Sequence, residues 1–141
     1  MSAEQMEFCD TNVLVYAYDV SAAAKRGEAS QLLGRLWASR SGLLSLQVLQ
    51  ELYVTLSRKL PAKLSPAQAR QVVEDLSSWR VVEPVRGDVL DAIDGSVKWN
   101  ISFWDAMVLV AARKGGAAVV WSEDLKDGEV YDGVAVKNPF V

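Results

Sequence analysis

Short apolar segments, separated by stretches of helical periodicity, constrain the fold of this chain more than any other feature. We predict strands at five such segments, residues 6–9, 43–45, 80–85, 118–121 and 134–136. These segments lack the polar and apolar alternation of a half-exposed sheet, and such strands are typical of parallel sheets buried on both faces. We therefore predict an α/β fold in which helices cover a central, mainly parallel sheet of four to five strands.

Six stretches between those strands carry apolar residues at helical spacing. They cover residues 13–18, 23–39, 46–59, 66–78, 88–99 and 103–114. Thr11 and Asn12 offer capping side chains to the first helix, and Ser102 offers one to the last. Gly42 is predicted to end the second helix. Ligands of such sheets bind outside the carboxyl ends of the strands, at a point where the strand order reverses.

The helix predicted over residues 88–99 combines apolar and acidic positions. Its apolar positions are Val89, Leu90, Ile93 and Val97. We expect an exposed face at its acidic positions, which are Asp88, Asp91 and Asp94.

The size and composition of the chain indicate one compact domain, which we predict over residues 1–141. Hydrophobic residues make up 50% of the chain and charged residues 23%, which indicates a packed core rather than disorder. The opening residues lack a cationic segment followed by an apolar one, and no apolar run approaches the roughly 20 residues that span a bilayer. We therefore expect a cytoplasmic protein with no membrane contact.

The residue types that are missing exclude several kinds of chemistry. The sequence has no histidine, which removes Ser-His-Asp catalysis and the common zinc sites. Cys9 is the single cysteine, and we interpret it as a small buried hydrophobic residue. The net charge of −3 gives no support to a broad cationic surface for nucleic acid. A phosphate-binding function would therefore need a local basic surface or a bound metal.

Four acidic residues lie near predicted strand ends or helix starts, beside apolar segments. They are Asp10, Glu51, Asp105 and Asp124. An unpaired buried carboxylate either shifts its pKa or finds a counter-charge. Each has a structural alternative, since Asp10 could cap a helix and Asp105 suits the first turn of one. Because all four can converge at one edge of the sheet, we predict a metal site there.

The chemistry of such a site follows from its ligands. Oxygen ligands alone suit Mg²⁺ or Mn²⁺ rather than zinc or copper. A few carboxylates and waters leave room for a substrate phosphate, and a metal lowers the pKa of bound water. These residues could therefore support phosphodiester hydrolysis without a histidine base.

Four segments in this order resemble the PIN domain: DTNVLVYAYD, SLQVLQE, ISFWDAMVLVAA and WSEDLKDG. They resemble most the VapC-like ribonuclease toxins of bacterial type II toxin–antitoxin systems. The resemblance covers nearly the whole chain, and the opening D-T-N with the helical W-D-A is its most specific part. It implies a three-layer α/β/α fold and a Mg²⁺- or Mn²⁺-dependent endoribonuclease that leaves 5′-phosphate and 3′-hydroxyl ends. It also implies an antitoxin that blocks the site.

The resemblance assigns roles to individual residues. Metal ligation and catalysis fall on Asp10, Glu51, Asp105 and Asp124. Asn12 and Ser45 match polar positions that support the acidic cluster by hydrogen bonds. Glu123 stands where many relatives have an amide, so it is a third supporting candidate.

Contacts with RNA and with partners are expected at other positions. A local basic patch follows the second acidic segment, at Arg58, Lys59 and Lys63. Trp99 and Trp104 could stack on a base, but we favour core packing for both. The helices over residues 32–37 and 49–56 could form a homodimer or antitoxin interface, with core packing as the alternative. The predicted assembly is a homodimer or a toxin–antitoxin hetero-oligomer.

Three other functions remain as alternatives. A PIN-type nuclease that acts on DNA, or in RNA processing without an antitoxin, shares every feature above. A phospho-acceptor signalling domain would need paired acids after its first strand and an acceptor aspartate after its third. Only Asp10 follows the first strand, and no clear acceptor follows Val82. A binding protein that kept the fold and lost activity is the third alternative.

Overall fold

The computed structural model describes residues 5–141, so the first four residues of the predicted domain lie outside the described residues. Six strands form one sheet: β1 (Met6–Cys9), β2 (Gly42–Ser45), β3 (Arg80–Val82), β4 (Ala117–Trp121), β5 (Val130–Tyr131) and β6 (Val134–Lys137). The helices are α1 (Thr11–Tyr18), α2 (Ala24–Ser39), α3 (Leu46–Val54), α4 (Pro66–Leu76), α5 (Arg86–Trp99) and α6 (Phe103–Lys114). A turn of π-helix, Thr55–Lys59, extends α3.

The sheet has the order β3-β2-β1-β4-β6-β5, and only the β5–β6 pair is antiparallel. The chain moves outward from β1 to β3 and then returns to the other side of β1. The strand order therefore reverses between β1 and β4. In open parallel sheets the carboxyl ends of such strands form the binding crevice.

The helices form layers on the two faces of the sheet. The first four pack against one another, and α2 and α3 reach β2. On the other face α6 packs on β2, β3, β4 and β6, whereas α5 packs mainly on α6. Phe8, Leu44 and Val120 are fully buried between these layers. The three-layer α/β/α fold with a mainly parallel sheet is thus confirmed.

The sheet has six strands rather than the predicted four to five. The additional strand, β5, has two residues and forms a hairpin with β6. Asp132 and Gly133, which join the two strands, both have positive φ, as tight hairpin turns require. So short a strand inside a polar segment has no hydrophobic periodicity to identify it. The third strand is also shorter than predicted, because Pro84 cannot donate to a ladder.

Capping differs from the prediction at two positions. Asp10 caps α1, as its structural alternative predicted, rather than Thr11 or Asn12, and its side chain accepts a hydrogen bond from the N–H of Thr11. The second helix ends at Ser39, its C-cap is Arg40 with a φ of 56°, and Gly42 lies inside β2. A Cβ at Gly42 would overlap the ring of Trp79, so close packing explains this glycine.

Burial differs from the prediction mainly in α5 and at the start of α6. The four apolar residues of α5 are exposed, and the helix buries only Ala92 and Gly95. Trp104 is 63% exposed, which contradicts core packing, whereas Trp99 packs against the core. The predicted interface segments 32–37 and 49–56 bury all of their leucines, and their exposed large hydrophobic residues are Trp37, Tyr53 and Val54. In the described part of the chain, no helix is long and apolar enough to cross a membrane.

Candidate metal centre

Asp10 is the centre of the predicted site. It follows β1 directly, and its side chain is almost fully buried, with 7% of the residue exposed. Oδ1 accepts a hydrogen bond from the N–H of Thr11 at 2.8 Å. Oδ2 accepts one from Ser122 Oγ at 2.8 Å and a longer one from Asn12 Nδ2 at 3.4 Å. Both oxygens are therefore fixed in position, and among residues 5–141 no cationic side chain bonds to either.

Burial sets the protonation behaviour of Asp10. It raises the pKa from 3.8 to about 6, and the negative charges of Asp124 and Glu51 add to the rise. The hydrogen bonds from Ser122 and Thr11 oppose it. The carboxylate is thus held where its charged form is unfavourable, which is the environment that a bound cation would relieve.

Asp124 lies in the turn that follows β4, beside Asp10. Its N–H donates to Ser122 Oγ at 3.2 Å, and the same hydroxyl donates to Asp10. Ser122 is fully buried, and its two hydrogen bonds link the end of β1 to the turn after β4. The carboxylate of Asp124 is on an exposed residue.

Glu51 reaches the site from the middle of α3 rather than from a helix start. Its Oε2 accepts from Thr11 Oγ1 at 3.4 Å, and Oε1 accepts from Gln47 Nε2 at 2.6 Å. The residue is exposed, contrary to the burial expected from its apolar neighbours. Leu49 and Leu52 are buried in the core instead, since residues one or two positions apart on a helix face different directions.

Asp105 lies in the first turn of α6, as predicted, and is half-buried. Ser102 caps the helix by accepting from the N–H of Asp105 at 3.0 Å. Burial raises the pKa of Asp105, and the charge of Asp124 contributes to the rise. Asp105 therefore couples electrostatically to the site through Asp124.

Three of the four acids share one open cavity of about 310 Å³, lined by Asp10, Glu51 and Asp124 together with Thr11, Asn12 and Tyr16. Asp105 is not among the lining residues. Over residues 5–141, no three acidic or cysteine side chains are close enough to hold one ion directly. Asp10, Glu51 and Asp124 thus line an open cavity and do not form a closed set of ligands around one ion.

The supporting residues behave differently from one another. Asn12 donates to Asp10 and accepts from the N–H of Glu123 at 3.1 Å, so it supports the cluster as predicted. Ser45 caps α3 by accepting from the N–H of Val48 at 3.3 Å, and its hydroxyl bonds to none of the four acids. The side chain of Glu123 bonds to Tyr16 and Lys25, away from the acids.

One residue of the predicted basic patch, Lys59, lies beside the acidic cavity. Lys59 lines a second cavity, of about 260 Å³, that shares Glu51 and Thr55 with the first. Arg58 lies in the same π-helical turn, and both residues are exposed. Lys63 follows in the next loop and is also exposed.

Two residues that hold the site together were missed by sequence reasoning. Ser122 and Thr11 each bond to two of the four acids. Ser122 donates to Asp10 and accepts from the N–H of Asp124, and Thr11 donates to Asp10 and to Glu51. The position of Ser122, a polar residue directly after an apolar strand, is a signal that could have identified it. Thr11 gave no such signal, because a threonine before a helix is expected to be a cap.

The residues present fit a hard divalent cation. All candidate donors are oxygens, and within the described chain none of the four carboxylates forms a salt bridge. Mg²⁺ commonly keeps several waters and binds through one or two carboxylates, which an open acidic cavity permits. Asp10 and Asp124, across the switch point, would hold the ion, with Glu51 and Asp105 on either side.

The fold and site define a class of protein: an α/β domain with a carboxylate cluster at the switch point of a parallel sheet. A family model described as the PIN domain matches residues 8–131, and the chain belongs to the PIN domain family. A search of curated proteins gave no match.

Solved structures share this fold at low identity. VapC20 of Mycobacterium tuberculosis, described as a sarcin–ricin loop cleaving toxin, is 23% identical with a TM-score of 0.63, over 84% of this chain and 89% of that one. A toxin–antitoxin complex from Klebsiella pneumoniae is 19% identical with a TM-score of 0.70, over 94% and 97%. DNA-bound VapBC from Salmonella typhimurium is 18% identical with a TM-score of 0.67, over 96% and 99%.

Proposed function

We propose that this chain is a Mg²⁺- or Mn²⁺-dependent endoribonuclease and the toxin of a toxin–antitoxin pair. The observation that carries the proposal is Asp10, a buried carboxylate with no cationic partner among the described residues. It faces Asp124 and Glu51 in an open cavity at the switch point of the sheet. Capping of α1 by Asp10 does not account for the three converging acids, because a buried charge without a counter-charge destabilises the fold.

The side chains divide the work of the site. Asp10 and Asp124 would hold the cation, and Ser122 connects the carboxylate of Asp10 to the backbone of Asp124. Glu51 and Asp105 would complete the cluster, bonding to the ion directly or through water. A bound Mg²⁺ or Mn²⁺ would supply Lewis-acid activation of water and neutralise charge on the scissile phosphate. Burial raises the pKa of Asp10, so a bound cation would stabilise the charged form of this carboxyl.

An RNA substrate is supported by the surface next to the cavity. Lys59 lies across Glu51 from Asp10, so a strand whose phosphate enters the acidic cavity would pass this lysine. Arg58 and Lys63 extend the basic surface beyond it. The described activity of VapC20, cleavage of the sarcin–ricin loop, also supports RNA over DNA. An enzyme that cleaves cellular RNA would act in the cytoplasm.

An antitoxin partner is supported by the assemblies of the structural neighbours. The Klebsiella and Salmonella structures are described as toxin–antitoxin complexes. Because VapC20, which shares the fold, is itself described as a toxin, we assign this chain the toxin component. The antitoxin would then cover the acidic cavity and exclude RNA.

A homodimer is supported by the outer face of α5. Leu90, Ile93 and Val97 lie on one side of this helix, and all three are exposed, Val97 by 79%. Asp91 and Lys98 lie two helical turns apart along one side of this apolar stripe. Two copies of α5 packed antiparallel about a two-fold axis would cover the apolar stripe and bring Asp91 of one copy beside Lys98 of the other. We therefore assign a second copy of the chain to this face.

Cleavage of labelled RNA tests the enzymatic proposal. Purified wild-type protein should cleave total cellular RNA with MgCl₂ or MnCl₂ and lose the activity in EDTA. Asp10→Asn should lower the rate by about 100-fold or more, by analogy with the loss of one preorganised catalytic group. The matched control is Asp94→Asn, which removes an exposed acid on α5 and should cleave like wild type.

Three results would contradict this proposal. No cleavage of RNA with either metal would refute the activity, and equal rates for Asp10→Asn and wild type would refute the site. Cleavage of single-stranded DNA but not RNA would refute the RNA substrate, whereas the metal-dependent mechanism would still hold.

A further inference from the structure

Glu123 lies next to a proposed metal ligand, but both of its carboxylate oxygens are already occupied. Oε1 accepts from the hydroxyl of Tyr16 at 2.9 Å. Oε2 accepts from Lys25 Nζ at 2.8 Å, which forms a salt bridge. The hydrogen-bond partners of Asp10 are all neutral, whereas Glu123 pairs with the cationic Lys25. Glu123 is also not among the residues that line the acidic cavity, so a metal there would not be needed to balance its charge.

Lys25 is held more closely than a surface lysine normally is. Besides Glu123, its Nζ donates to Tyr16 Oη at 3.4 Å. The ammonium lies 4.8 Å from the ring centroid of Tyr16 and 5.4 Å from that of Phe140, both within cation–π range. The two rings are themselves packed edge to face. Isolated surface ion pairs contribute little, but this pair belongs to a network with several contacts.

This network controls the backbone that carries Asp124. The N–H of Glu123 donates to Asn12 Oδ1, while its side chain is anchored to α1 through Tyr16 and to α2 through Lys25. On the other side of the turn, the N–H of Asp124 donates to Ser122. In the described chain, the carboxylate of Asp124 has no hydrogen bond of its own, so the backbone alone sets its position.

We propose that Tyr16, Lys25 and Glu123, the Glu123 clamp, are positioning residues that fix Asp124 for metal binding, and that Glu123 is not itself a ligand. The inference rests on the proposed metal site. Besides anchoring Glu123, Lys25 neutralises its charge. Glu123 therefore does not compete with the four acids for the metal. The turn from Ser122 to Leu125 is thus held from both ends before a metal arrives.

A charge exchange distinguishes a positioning role from direct ligation. Lys25→Glu and Glu123→Lys each break the pair, and each should weaken Mn²⁺ binding about tenfold, the loss typical of residues that orient metal ligands. The double variant, Lys25→Glu with Glu123→Lys, restores an ion pair and leaves the local charge unchanged. It should bind Mn²⁺ within about threefold of wild type, since orienting contacts are lost only where the pair is lost. Titration calorimetry gives the dissociation constants.

If Glu123 ligates the metal, the double variant will bind Mn²⁺ as weakly as Glu123→Lys alone, and the proposal is overturned. Tyr16→Phe, which removes one hydroxyl and no charge, should weaken binding less than either charge reversal. Equal binding by wild type and both single variants would also overturn it.

Amide hydrogen exchange of the metal-free protein provides a second readout. Residues 122–125 should exchange faster in each single variant and return to the wild-type rate in the double variant. Wild type that binds no Mn²⁺ would refute the proposed function but not the clamp, because the exchange rates test the clamp without metal. Unchanged exchange in the single variants would refute the clamp alone.

Discussion

Two regions of this molecule hold side chains in environments that disfavour them, and they do so in opposite ways. At the carboxyl end of the sheet, the charged Asp10 is almost fully buried. On the outer face of α5, the apolar side chains of Leu90, Ile93 and Val97 are exposed. Both arrangements cost free energy in the isolated chain, and each is relieved by a different kind of ligand.

The two regions differ in how firmly they are built. Asp10 is held by hydrogen bonds from Thr11, Asn12 and Ser122, so the fold maintains the unfavourable position. The α5 stripe has no such framework, because the helix packs mainly on α6 and is open on its other side. A small ion needs fixed ligands, whereas a protein partner needs only a complementary surface. The acidic site therefore depends on single atoms, and the α5 stripe depends on total apolar area.

The largest expected effect comes from removing the buried charge. The pKa of Asp10 is raised from 3.8 to about 6, so the folded state binds a proton that the unfolded state releases in this range. The contribution of Asp10 to stability is therefore highest below pH 4 and is lost as the pH rises through 6. At pH 7.5, Asp10→Asn should stabilise the metal-free protein by as much as about 3 kcal/mol.

Urea denaturation at several pH values measures this effect. The gain from Asp10→Asn should shrink between pH 6 and pH 4, and Asp94→Asn should show no gain at any pH. Mg²⁺ should stabilise wild type and not Asp10→Asn. A loss of stability in Asp10→Asn at pH 7.5 would show that the carboxylate is not in an unfavourable environment, and the contrast between the two regions would fail.

A charge placed on the exposed α5 stripe should affect assembly rather than folding. Val97→Asp should weaken self-association by about 30-fold or more, the factor that corresponds to losing an interface hot spot. The monomer should keep its stability within about 0.5 kcal/mol, because the substitution lies on the surface. Sedimentation velocity over a range of concentrations measures the first effect, and urea denaturation measures the second.

Val20 provides the control, since it is 62% exposed and lies far along the chain from α5. Val20→Asp should leave self-association unchanged. If the wild-type protein is monomeric at high concentration, the proposed dimer is refuted. If Val97→Asp then abolished binding of the co-expressed antitoxin, the stripe would belong to that partner instead.

The same two regions show what the sequence could predict. The helix Phe103–Lys114 was predicted with its observed bounds, because Ser102 caps it and Gly115 ends it. Asp10, Asp105 and Asp124 were placed correctly at strand ends or a helix start, since both kinds of boundary leave local signals. Local signals thus determined the boundaries of elements and the edge of the sheet to which the acids belong.

Burial could not be predicted in the same way. The apolar residues of α5 have helical spacing, but spacing does not say whether a second layer covers them. Glu51 was expected to be buried because of its neighbours, whereas its place on α3 turns it outward. The hydrogen bonds of Ser122 and Glu123 join residues more than 100 positions apart, so no local pattern encodes them. These features depend on how the layers meet, which is a property of the tertiary structure.

The smallest expected effect tests the link between the buried charge and its framework. Ser122 is fully buried, and its hydroxyl bonds to Asp10 and to the N–H of Asp124. Ser122→Ala should destabilise the protein by about 1–2 kcal/mol, since it leaves buried polar groups with fewer partners. Because the bond from Ser122 lowers the pKa of Asp10, its loss should raise that pKa further.

A double-mutant cycle separates the two roles of Ser122. If the hydroxyl acts mainly by stabilising the charge of Asp10, Ser122→Ala should cost less in the Asp10→Asn background at pH 7.5 than in wild type. At pH 4.5, where Asp10 is mostly protonated, the two costs should approach each other. Equal costs at both pH values would mean that Ser122 acts only through the backbone of Asp124. The hydrogen bond from Ser122 would then not stabilise the charge of Asp10, and the contrast between the acidic site and the α5 stripe would be weaker.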